Sequence, residues 1–94
     1  MNGKEIYEML VKLTGNEKKY VVRNIVDDNG NFYYLRLNNV KDYVSSRELG
    51  QIVEKLQFED LEFLGIDLTG YRIELTFKDV GDDEQWTTTN LKNS

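Results

Sequence analysis

The chain has 94 residues, with 12 Lys and Arg against 17 Asp and Glu, and it contains no Cys, no His, no Pro and no Ala. That inventory excludes disulfides, thiol nucleophiles, imidazole bases and the usual zinc sites. It predicts a protein that is not an enzyme and uses no cofactor and no metal.

In chain order, Ile6, Met9, Leu10 and Leu13 recur at the spacing of one helical stripe and predict a first helix. Asn2 can cap its start with Glu5 as the reciprocal partner, and Gly15 can end it. Residues 20–26 and 32–37 then flank an Asp- and Asn-rich turn. With Asn29 and Gly30 as turn residues, Val26 faces Tyr33, Asn24 faces Leu35 and Val22 faces Leu37. Tyr20, Val22, Val26, Tyr33, Leu35 and Leu37 then share the core face.

Leu49, Ile52, Val53 and Leu56 repeat the helical stencil, with Ser45 as cap and Glu48 three residues on. Met1 and Val44 precede the two caps, where an apolar residue can staple to the helix. Residues 61–68 and 71–78 form a second hairpin pattern around Thr69 and Gly70. That turn directs Leu64, Ile66, Leu68, Tyr71, Ile73 and Leu75 inward, with Asp67 facing Arg72 outside. Residues 80–84 read as a turn, and the β-branched run around Trp86 at 85–91 as a fifth strand or an extended tail.

The expected fold is α+β: two αββ halves forming a four- or five-stranded antiparallel sheet with two helices packed on one face. Residues 1–80 are expected to make up one αββαββ domain, followed by the C-terminal segment 81–94.

Two constellations carry the candidate chemistry. On the first hairpin, Arg23 and Arg36 are expected opposite each other on the face away from the helices, beside Phe32 and Tyr34. Like charges so placed need an anion. Glu74 can supply it from within the chain, or a partner can supply it to an exposed patch of arginine and aromatic side chains, types enriched at interfaces. The second constellation is the acidic run Asp79, Asp82, Asp83 and Glu84, solvated charge rather than a cation site and the candidate surface for binding a basic partner. Trp86, close by, is either a lid on the core edge or a binding anchor. Asp27, Asn29 and Asn31 imitate the start of a calcium loop, but Phe32 and Asn38 stand where that loop needs Gly and Glu. A hairpin turn accounts for them.

The charge is uneven. Residues 1–58 carry a net charge of +1 and residues 59–94 a net charge of −6. A field of that sign discourages direct nucleic-acid binding and favours a basic partner. Met1 to Glu5 offers no apolar signal core, and no run approaches the ~18 apolar residues of a membrane span, so a cytoplasmic location is expected. Being small, acidic, Cys-free and Pro-free, the chain is similar in composition to many phage or mobile-element inhibitors. The expected function is that of a non-catalytic protein-binding module, an inhibitor or adaptor that occupies a basic surface, such as that of a nucleic-acid-binding protein. The alternative is a structural subunit that forms a homodimer or larger assembly through the uncovered sheet face.

Overall fold

The structure, a computed structural model, describes residues 1–81. Its elements follow the chain as α1 (Gly3–Thr14), β1 (Tyr20–Asp27), β2 (Gly30–Leu37), α2 (Ser46–Phe58), β3 (Leu61–Thr69) and β4 (Arg72–Asp79). The fold is α+β, with an antiparallel sheet in the order β1-β2-β4-β3. The proposed fifth strand and the segment around Trp86 lie outside the described residues. No described helix is long and apolar enough to cross a membrane.

Local chemistry sets both helix starts. The Asn2 side chain accepts from the Glu5 backbone amide while the Glu5 carboxylate accepts from that of Asn2, so two otherwise orphaned donors are satisfied. Gly15 ends α1 in the left-handed region, φ 68°. Ser45 caps α2 by accepting from the Glu48 amide. The Glu48 carboxylate, however, does not return to the cap. It accepts from the Tyr20 hydroxyl at 2.5 Å and from Lys19 Nζ at 2.9 Å, pinning the first turn of α2 to the start of β1.

Ile6 and Leu10 of α1, Ile52 and Leu56 of α2, and Tyr20, Tyr33, Leu35, Leu37, Leu61, Leu75 and Phe77 of the sheet form one buried cluster. The sheet residues in it all point to the same side, so both helices cover one face. Leu13, Val22, Val53 and Ile73 pack against the cluster without full burial.

The hairpin registers depart from expectation by two residues each. In the first, Asp27 pairs with Gly30, Val22 with Leu35 and Asn24 with Tyr33, leaving Asp28 and Asn29 as the loop. The Asp27 carboxylate accepts from the Asn29 amide at 2.8 Å, an Asx-turn that closes the loop before Asn29 and Gly30 can act as its centre. In the second, Thr69 pairs with Arg72 and Asp67 with Glu74, so Gly70 and Tyr71 form the loop. Gly70 takes the first loop position at φ 65°, which spares Thr69 the positive φ that a Thr-Gly turn would demand.

A slip of two keeps each side chain on its face, so the core of the first hairpin survives the change. In β3 a bulge between Phe63 and Gly65 reverses the alternation. Leu61 and Phe63 before it, and Ile66 and Leu68 after it, all lie on the helix side. Leu64, Ile66, Leu68 and Tyr71 are nonetheless exposed, contrary to the expected core face, and so is Val26. The helices, of 12 and 13 residues, reach only about 18 to 20 Å. The 8- and 9-residue strands run about 27 to 30 Å. The overhang falls at diagonal corners of the sheet, one at each hairpin tip.

Candidate protein-interaction site

On the face without helices, β4 is the inner strand and brings Glu74 against β2. Glu74 pairs directly with Arg36, and its carboxylate Oε2 receives Arg23 Nη2 at 3.2 Å and Arg36 Nε at 3.3 Å. Only 5% of Glu74 is exposed, because the two guanidinium groups cover it. The arginines are not directly opposite each other: Arg23 faces Tyr34 and Arg36 faces Val21. The Arg23 guanidinium lies 5.4 Å from the Tyr34 ring centroid, and the Tyr34 and Phe32 rings are 6.5 Å apart. Lys78 Nζ sits 5.9 Å from the Phe32 centroid. The arrangement is an ion triad with Tyr34 beside it, its neutralising anion supplied from inside the chain.

Asp79 belongs elsewhere. Its carboxylate accepts from the Gly81 amide at 3.1 Å and from the Asn31 side chain at 3.5 Å, which closes the chain after β4. Asp82, Asp83, Glu84 and Trp86 lie outside the described residues. Among the described residues, no three carboxylates gather closely enough to hold a metal ion.

A shallow depression of about 380 Å³ between α1 and β1 is lined by Gly3, Lys4, Tyr7, Tyr20, Val21 and Val22. It holds no carboxylate to pair with Lys4 for acid–base chemistry. Tyr20 at its floor is held protonated: burial first, then the hydrogen bond to Glu48 and the charge of Glu48, push its phenol well above the ordinary value.

The residues that sequence reasoning missed run along β3 from its bulge to the tip of the second hairpin. Leu64, Ile66, Leu68 and Tyr71 are exposed by 50, 49, 78 and 93%. Three of them lie on β3, an edge strand, and Tyr71 is in the loop beside them. The signal that could have found them is arithmetic, since helices of this length cannot cover strands of this length. Large apolar side chains grouped on one edge mark contact surfaces more often than isolated ones do.

Comparison with protein families, curated proteins and solved structures returns no match for this chain. The geometry defines it as a two-layer α+β protein with an internally neutralised sheet face and an uncovered apolar hairpin edge.

Proposed function

We propose that this chain is a non-catalytic protein-binding module, acting as an inhibitor or adaptor by occupying a basic surface of another protein. The observation that carries the proposal is the group Leu64, Ile66, Leu68 and Tyr71, left open to solvent by the fold. Exposing such side chains in a monomer forgoes burial free energy of about 25 cal/mol per Å², which a partner recovers. The first-hairpin arginines are weaker support, since Glu74 already neutralises them.

The test is retention of partners from a native-host extract on immobilised wild-type chain and on the double variant Leu68→Ser, Tyr71→Ser. A protein held by the first and depleted at least tenfold on the second supports the proposal. Equal retention by both, with the variant folded, overturns it.

A competing reading is self-association through the helix-free face, favoured by exposed Val21 and Ile25 beside the Phe32 and Tyr34 rings. Light scattering at micromolar concentration separates the two. A stable oligomer dispersed by Ile25→Ser would establish the second.

A further inference from the structure

The first strand, β1, is an edge strand of eight residues that pairs with β2 without a bulge and holds no proline, lysine or glycine. Edges usually carry such interruptions, which keep other strands from adding to them. At the other edge, β3 has its bulge between Phe63 and Gly65. The ladder shows which groups of β1 are open. The Asn38 amide donates to the Lys19 carbonyl at 2.8 Å, one step before Tyr20 faces Leu37. Hydrogen-bonded pairs alternate along an antiparallel ladder, so the odd-numbered residues turn their amides and carbonyls to β2. Val22, Asn24 and Val26 turn theirs outward.

Helix α1 covers only the start of this edge. A Cβ on Gly3, at the helix start, would lie 3.8 Å from Val22, and the depression between helix and strand is lined no further along β1 than Val22. From Arg23 to Asp27 every residue is exposed, whichever face it occupies. Val26 is 70% exposed on the helix side and Ile25 40% on the other. Arg23, Ile25 and Asp27 share the helix-free face, where the Arg23 side chain stays 45% exposed although it reaches Glu74.

Any extended chain can use the outward groups, but this segment matches itself when reversed. Laid antiparallel on a second copy about Ile25, Arg23 faces Asp27 of the second copy, Ile25 faces Ile25, and Asn24 and Val26 meet as hydrogen-bonded pairs. Opposite charges directly across a ladder stabilise it and like charges do not. Registers that keep each side chain on its face differ by two residues. A slip of two sets Arg23 against Ile25 and Asp27 against Val21, and a slip of four sets Arg23 against Arg23. Helix α1 of each copy lies beyond the paired segment, so the two helices do not collide. We infer that two copies of this chain pair antiparallel through residues 23–27 of β1, in register about Ile25, joining their four-stranded sheets edge to edge.

Pairing over so short a strip buries less than the ~1,200 Å² of total surface typical of stable complexes. The dissociation constant is therefore on the order of 0.1 to 1 mM, and the chain is largely monomeric at micromolar concentration. Both β3 edges stay free at the ends of the joined sheet. The inference thus goes beyond the protein-binding proposal and stands or falls independently of it.

The test is capture by a single thiol, since the chain has no cysteine of its own. Ile25→Cys sets the thiol against its counterpart in a non-hydrogen-bonded pair, with Cα atoms about 4.5 Å apart, within disulfide reach. Under mild oxidation the linked dimer is expected at least tenfold faster than from Val21→Cys, an exposed position on the same strand and face that the register leaves unpaired. Adding Val26→Pro to Ile25→Cys should abolish that advantage. The Val26 amide points outward, so proline there removes no bond to β2. Asp27→Asn, which keeps the turn-closing side chain, should slow capture severalfold and flatten its salt dependence; it carries the test if Val26→Pro does not fold. In parallel, amide resonances of the isotope-labelled wild-type chain should move at residues 22–28 as its concentration is raised through the same range as the dissociation constant.

Equal capture rates for Ile25→Cys and Val21→Cys, with no concentration-dependent shift in β1, would overturn the inference. So would an association that Phe32→Ser abolishes and Val26→Pro leaves intact, because that dimer is packed face to face. If a capped peptide alternating threonine with valine shifts residues 22–28 as strongly as the chain itself does, the edge receives any strand and the second copy is not its selected occupant.

Discussion

Glu74 is the carboxylate on which the helix-free face depends, because two guanidinium groups converge on one of its oxygens. Glu74→Gln keeps the shape and removes the charge, taking from Arg23 and Arg36 the carboxylate they share. Charge-assisted hydrogen bonds contribute roughly 1.5 to 3 kcal/mol each when buried. The arginine side chains here are partly exposed, so solvent screening discounts the loss to about 1 to 2 kcal/mol in total. Urea unfolding reads it directly, and a change below ~0.5 kcal/mol would show that the triad is ornamental to stability. Tyr20 provides a pH-dependent counterpart. Its folded-state pKa is raised, chiefly by burial, so its stabilising contribution is complete below the unfolded value of about 10 and is lost as pH rises beyond it. The sign follows because the unfolded chain releases the phenolic proton first. Wild type should lose about 1.4 kcal/mol per pH unit more than Tyr20→Phe above pH ~10. Parallel curves from a urea series at alkaline pH would rule out that linkage.

Both helices are legible in the sequence because their determinants are local: a stripe of apolar residues and an oxygen-bearing cap in each, with Gly15 as a left-handed stop for the first. The stops permit a matched test. Gly15 at φ 68° and Asp60 at φ 60° share a conformation that L-residues adopt reluctantly, and an added Cβ at Gly15 meets nothing within 4 Å. Gly15→Ala should therefore cost about 1 kcal/mol through backbone strain alone, whereas Asp60→Gly should stabilise by about 0.5 to 1 kcal/mol. Thermal midpoints moving in opposite directions would bear this out; a gain from Gly15→Ala would refute it. The hairpins are legible as hairpins, but their registers are not. Side chains alternate with period two, so apolar patterning cannot detect a slip of two; the carboxylate of Asp27 and the positive φ of Gly70 make that choice. The meeting of Arg23, Arg36 and Glu74 survives the slip, since all three stay on the helix-free face. The β3 edge does not emerge from patterning, because a bulge interrupts its alternation and the helices stop short of it.

At the scale of the molecule, the same apolar residue type plays two parts according to whether a helix reaches it. Leu35 lies at the centre of the sheet, with no exposed surface and with Ile6, Leu10, Ile52 and Leu56 in its cluster. Leu68 lies on the same side of the sheet but beyond the helices, 78% exposed. Replacing Leu35 by Ala opens a cavity in a packed layer and should cost about 2 to 5 kcal/mol. Replacing Leu68 by Ala removes side-chain surface that water already wets, and should change stability by no more than about 0.5 kcal/mol. Chemical denaturation of the two variants at a concentration where the chain is monomeric makes the comparison, because self-association would add its own linkage to the measured stability. If Leu68→Ala destabilises the monomer as much as Leu35→Ala does, the second hairpin is covered in solution and its edge is core. If only Leu35→Ala destabilises, the edge is surplus to folding, and its apolar side chains are available for binding at almost no cost to the fold.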